Sequence, residues 1–127
     1  RPLRRTDLLR ERIHDEKLLL DEACKKLAKR LERAEEAIAR CRSVEEEWIS
    51  WRAQAADLEA KYARRGKKTK PYGKLAQARN KVRSYGDRLE RRQKEVASAT
   101  RLLEKEKRRL QALQVTMEVL EERLSQF

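Results

Sequence analysis

Residues that interrupt helices are scarce in this sequence, with three Gly and two Pro among 127 residues. Aromatic residues amount to only 5%, against 44% charged. Together these shortages exclude an ordinary globule around a bulky core, although the length would suit one domain. Histidine occurs once, at His14, and cysteine twice, at Cys24 and Cys41. So few donors make no metal site, and His14, without a positioned partner, is expected at the surface. There is no G-x-x-x-x-G-K-[ST] phosphate loop and no C-x-x-C pair. No apolar run is long enough to span a membrane, and no signal-peptide pattern opens the chain. The opening Arg1-Pro2-Leu3-Arg4-Arg5, which lacks an initiator Met, leads us to expect a fragment of a larger protein.

What the sequence does have is Ala, Glu, Lys, Leu and Arg at regular spacing, the composition of a coiled coil or long helix. High charge and low hydrophobicity also suit a disordered chain; periodicity decides for order. In the second half Leu75, Val82, Leu89, Val96, Leu103, Leu110, Met117 and Leu124 recur every seven residues. Three residues after each come Ala78, Tyr85, Arg92, Ala99, Glu106, Leu113, Leu120 and Phe127. This is a sustained a/d heptad. The first half carries a seam through Leu20, Cys24, Leu27, Leu31, Ala34, Ile38, Cys41, Val44, Trp48, Trp51, Ala55, Leu58 and Tyr62. Its phase slips around Cys41 to Trp48, which predicts local over-winding.

Facing residues in an antiparallel hairpin have position numbers with a constant sum. Tyr62 with Leu75, Ala55 with Val82, Trp48 with Leu89, Cys41 with Val96 and Ala34 with Leu103 share one sum. Leu27 with Leu110, Leu20 with Met117 and Ile13 with Leu124 share it too. Arg92 is expected to face Glu45 in the same register, and Glu106 to lie beside Arg30, so that charges at the seam penalise sliding by a heptad. Trp48 and Trp51 are expected in a core aromatic cluster with Leu89 and Tyr85.

The expected fold is therefore all-α: a single long two-helix antiparallel coiled-coil hairpin over residues 1–127. Helix one runs over about 7–65, a basic loop over about 66–73 and helix two over about 74–127. Gly66 suits a helix C-terminus with positive φ, and Pro71 cannot sit inside a helix. A rod of about 80–90 Å follows from the rise per residue. Cys24 and Cys41, placed on the seam, would stand about 25 Å apart, beyond disulfide reach. Inert core thiols in an intracellular, reducing compartment are the expectation.

Charge is unevenly placed. Residues 1–60 hold 14 basic and 14 acidic side chains, and residues 95–127 hold 6 of each. Residues 61–94 hold 14 basic residues against Asp87 and Glu90 alone, so the whole excess of +12 lies there. Self-repulsion of this kind is relieved by an anionic partner or by counterions. Nucleic acid is the expected partner, DNA or RNA, bound through phosphates with little sequence preference. The candidate contacts are Arg64, Arg65, Lys67, Lys68, Lys70, Lys74, Arg79, Lys81 and Arg83, with Tyr72 as a possible stacking residue in the loop. A basic tip serving solubility alone is the plainer alternative, and an acidic protein surface is another. A membrane partner is not expected, because durable attachment adds an apolar wedge or lipid anchor.

A second, fainter feature is apolar. Ile49, Ala53, Ala56, Ala60 and Ala63 lie at helical spacing off the seam, and Leu18, Leu19, Val115 and Val119 form a set near the open end. Both suggest docking on a parent-protein domain or on a second copy, giving a four-helix dimer; good helix propensity explains the alanines equally well. The acidic residues fall on solvated faces, so no enzyme, cofactor or small-molecule substrate is expected.

The heptads and the basic tip resemble the tRNA-gripping coiled-coil arm of seryl-tRNA synthetases, and also coiled-coil segments inserted in some bacterial transposases. Either likeness spans nearly the whole chain and implies a nucleic-acid-handling arm. No site residue is carried over from either.

Overall fold

A computed structural model of the chain describes residues 4–65 and 73–127. Two helices account for nearly all of them: α1, Arg5–Arg64, and α2, Lys74–Ser125. Among the described residues there is no strand, and the helices pack on each other as an all-α hairpin. Gly66 and Pro71, expected to break the helices, lie outside the described residues. The α1 ladder closes with the Arg65 amide donating to the Lys61 carbonyl at 3.2 Å. Gly73 opens α2 with φ of 67°, a conformation that glycine takes without strain, and its carbonyl accepts from the Gln77 amide at 3.0 Å. At the other end the last turn of α2 tightens, with Gln126 and Phe127 donating to the carbonyls three residues back.

The chain divides into two compact units, a terminal unit of Arg1–Ala34 with Ala99–Phe127 and a connection unit of Glu35–Ser98. In the terminal unit Leu9, Ile13, Glu16, Leu20, Ala23, Leu27, Arg30 and Ala34 are withdrawn from solvent on α1. On α2 the withdrawn set is Ala99, Leu103, Glu106, Leu110, Leu113, Met117, Leu120 and Leu124, with Leu120 most completely buried. In the connection unit the α1 set is Ala37, Cys41, Val44, Trp48, Trp51, Ala55, Leu58 and Tyr62. Its α2 counterpart is Leu75, Ala78, Val82, Tyr85, Leu89, Arg92 and Val96. Contacts between Glu59 and Arg79 and between Trp48 and Gly86 fix the antiparallel sense there, since one number rises as the other falls.

The α2 seam therefore matches the heptad expectation from Leu75 to Leu124, while Phe127 is exposed at 66%. The α1 seam needs a correction. Cys24, Leu31 and Ile38 are exposed, and the adjacent Ala23, Arg30 and Ala37 turn inward instead. Inward positions on α1 then alternate four and three residues apart throughout, so the expected phase slip does not occur. The most deeply buried apolar residues of α1 are alanines, whereas α2 buries mainly Leu and Met. The unbroken alternation of four and three residues keeps one face of α1 turned toward α2, and Ala23, Arg30 and Ala37 are the residues that fall on that face.

Arg92 and Glu106 take inward positions, as the heptads led us to expect, without an ion pair across the seam among the described residues. Arg92 donates to Glu95 of its own helix at 3.0 Å rather than to Glu45. Glu106 and Arg30 both face inward, yet no ion pair joins them among the described residues. Glu106 is only 7% exposed, and its Oε2 has no hydrogen-bond partner there.

Candidate nucleic-acid interface

The connection unit gathers the cations. Of the expected contacts, Lys67, Lys68, Lys70 and Tyr72 lie outside the described residues. Arg64, Arg65, Lys74, Arg79, Lys81 and Arg83 are all described and all exposed. The end of α1 and the start of α2 are brought together, because Lys61 and Lys74 line one open groove with Trp51, Leu58 and Ala78. Asp57 is the carboxylate on that groove.

Which cations remain available depends on their neighbours. Arg79 is engaged: its Nε and Nη2 donate to Glu59 Oε1 at 3.2 and 3.0 Å. Both side chains are about half exposed, so the pair contributes about 0.2–1 kcal/mol to stability. Arg92 is held by Glu95, and Lys94 stands 4.0 Å from Glu90. Lys61, Arg64, Arg65, Lys74, Lys81, Arg83, Arg88 and Arg91 join no ion pair among the described residues.

Trp48, Trp51, Tyr85 and Leu89, expected to cluster, are all withdrawn from solvent on the seam. Trp48, Trp51 and Tyr85 are half-buried, and each has a cation near its ring. Arg52 lies 4.6 Å from the Trp48 ring centroid, Lys81 Nζ 5.9 Å from that of Trp51, and Arg88 5.1 Å from that of Tyr85. Cation–π contacts at exposed sites contribute modestly, about 0.5–1 kcal/mol. Sequence reasoning missed these three pairs, although the spacing of Trp48 to Arg52 and Tyr85 to Arg88 would have shown two of them.

The helix termini differ electrostatically. Asp7 stands in the first turn of α1, whereas α2 has no acidic residue in its first turn and begins with Lys74. The positive end of the α2 dipole thus adds to the surrounding cations instead of being offset.

The expected apolar docking residues are exposed but divided. Leu18 stands midway between the inward Glu16 and Leu20, and Val115 midway between the inward Leu113 and Met117. Helical periodicity therefore turns both directly away from the seam, on opposite outer faces of the terminal unit. Leu19 and Val119 are 40% and 44% exposed and flank them. Ile49, Ala53 and Ala56, with Ala60 and Ala63, form an exposed outer stripe of α1 in the connection unit. Cys24 is exposed and Cys41 half-buried, and both thiols are free. Among the described residues no cluster of His, Cys, Asp and Glu could hold a metal ion, and no helix is long and apolar enough to cross a membrane.

The chain matches no protein-family model, no curated protein and no solved structure.

Proposed function

We propose that this hairpin is a nucleic-acid-binding arm of a larger DNA- or RNA-processing protein, a binding module and not an enzyme. The observation that carries the reading is the set of exposed cations of the connection unit that make no ion pair among the described residues, beside a terminal stretch whose charges balance. Phosphates would displace the counterions these cations otherwise hold, which gives affinity without base reading. The free thiols suit a reducing, intracellular setting. Fluorescence anisotropy with duplex DNA, single-stranded DNA and structured RNA across a salt series tests the reading. A variant with Arg65, Lys67, Lys68 and Lys70 changed to Glu belongs in the same series. Binding that falls with salt and collapses in the variant supports the proposal. No binding at low salt, with helix content intact, sinks it.

A second reading has its own observation. Leu18, Ile49 and Val115 are each more than half exposed on outer faces, which a self-sufficient hairpin does not require. A structural module that docks on a partner or a second copy, its cations meeting an acidic protein surface, would use them. Sedimentation across a concentration series distinguishes this reading by a rise in mass with no salt-sensitive nucleic-acid binding.

A further inference from the structure

The two edges of the seam in the connection unit are not equivalent. On α2 the residue just before each inward Leu75, Val82 and Leu89 is a cation: Lys74, Lys81 and Arg88. They recur every seven residues, about 10.5 Å apart along the helix. On α1 the matching position before the inward Tyr62 is Lys61, which shares the groove with Lys74. None of these four joins an ion pair among the described residues. The acids on this side are Asp57 in the groove, Glu47 farther along α1 and Glu95, which ends the series on α2 and is paired with Arg92, so the stretch from Lys61 to Arg88 stays positive.

The opposite edge is internally neutralised. There Arg79 is held by Glu59 and Arg52 lies over Trp48, with Glu45 on the same side. A polyanion approaching that edge meets Arg79 already paired with a carboxylate, and the carboxylates of Glu45 and Glu59 repel it.

We propose that a single-stranded nucleic acid follows the Lys61–Lys74–Lys81–Arg88 edge and stacks an unpaired base on Trp51. This deepens the nucleic-acid reading above and rests on it. Trp51 is half-buried on the seam and lines the groove that Lys61 and Lys74 border, so part of its indole faces the path of the strand. Lys81 Nζ, 5.9 Å from the ring centroid, stands where a base would stack. A phosphate of the same strand gives that ammonium a stronger partner and draws it off the ring, which frees the face for the base. A duplex keeps its bases stacked internally and could use the cations but not the indole.

Trp48 and Trp51 are the two tryptophans of the chain, so a Trp48→Phe protein reports from Trp51 alone. Labelled oligothymidylate is titrated into it, with anisotropy read on the label and emission on Trp51, and a duplex in parallel. Two equal-charge variants are compared, Lys74→Glu with Lys81→Glu and Arg52→Glu with Arg79→Glu, each checked for helix content by circular dichroism. The proposal expects Trp51 quenching on single-strand binding, about tenfold or greater weakening in the first variant, and clearly less in the second. Single-strand binding that leaves Trp51 emission unchanged overturns it, as does equal weakening in both variants or a preference for duplex. These outcomes leave the broader nucleic-acid reading standing. Failure of the unsubstituted chain to bind any nucleic acid at low salt removes both.

Discussion

A Cβ placed on Gly86 would stand 3.3 Å from Trp48 Nε1 and 3.7 Å from its Cδ1. Glycine inside a long helix lowers its stability by about 1 kcal/mol relative to alanine, and this contact identifies what that cost accommodates. The indole from α1 lies against α2 where a side chain is missing. Because Trp48 is only half-buried, its ring can shift by a few tenths of an ångström. Gly86→Ala is therefore expected to raise stability by about 0.5–1 kcal/mol, whereas Gly86→Val, with two further heavy atoms, should lower it by about 1–3 kcal/mol. Urea unfolding followed by circular dichroism measures both. A fall in midpoint for the alanine variant would show that the indole cannot move.

Glu106 is buried with an unpartnered carboxylate oxygen, and the half-buried Arg30 across the seam does not form an ion pair with it. Charge buried in this way is costly, and the long arginine can keep its head group in water. Glu106→Leu should stabilise the hairpin by about 1–3 kcal/mol. An unchanged or lower unfolding midpoint would mean that the carboxylate draws compensation from Arg30 in solution.

The corrected seam makes neighbouring residues respond oppositely. Ala37 is buried at 6% exposure, while Ile38 is 37% exposed despite its greater hydrophobicity. Ala37→Asp should cost about 2 kcal/mol or more, because it places an unpaired charge against α2. Ile38→Asp should change stability by less than about 0.5–1 kcal/mol. The reverse order in thermal unfolding would restore the seam through Ile38.

The contrast between the two helices shows what the sequence made legible. On α2 the inward residues are mostly the apolar ones, Arg92 and Glu106 excepted, so the seven-residue spacing of Leu, Val and Met places Leu75 to Leu124 correctly. On α1, ranking by hydrophobicity selects Cys24, Leu31 and Ile38 over Ala23, Arg30 and Ala37, and each selection is off by one residue. The choice between adjacent residues follows from the unbroken alternation of four and three residues along α1, a constraint visible only when the whole helix is considered. The pairing of Leu27 with Leu110 and Ala34 with Leu103 is common to both seams and does not distinguish them. Charge localisation between residues 61 and 94 was plain in the sequence. Which cations are engaged was not, because Glu59 and Arg79 stand 20 residues apart and meet only across the seam.

The most direct test of the central claim separates where charge sits from how much there is. Two variants lose the same net charge, one through Lys61→Glu, Lys74→Glu and Lys81→Glu, the other through Arg101→Glu, Lys105→Glu and Arg108→Glu. All six positions are exposed, so both proteins should retain the fold. Affinity for single-stranded DNA is measured against salt, where the slope of log affinity on log salt counts the phosphates neutralised. The prediction is a large loss of affinity and a shallower slope for the first variant, with the second close to the unsubstituted chain. Equal losses in both would contradict a defined interface and reduce the basic stretch to a source of general charge.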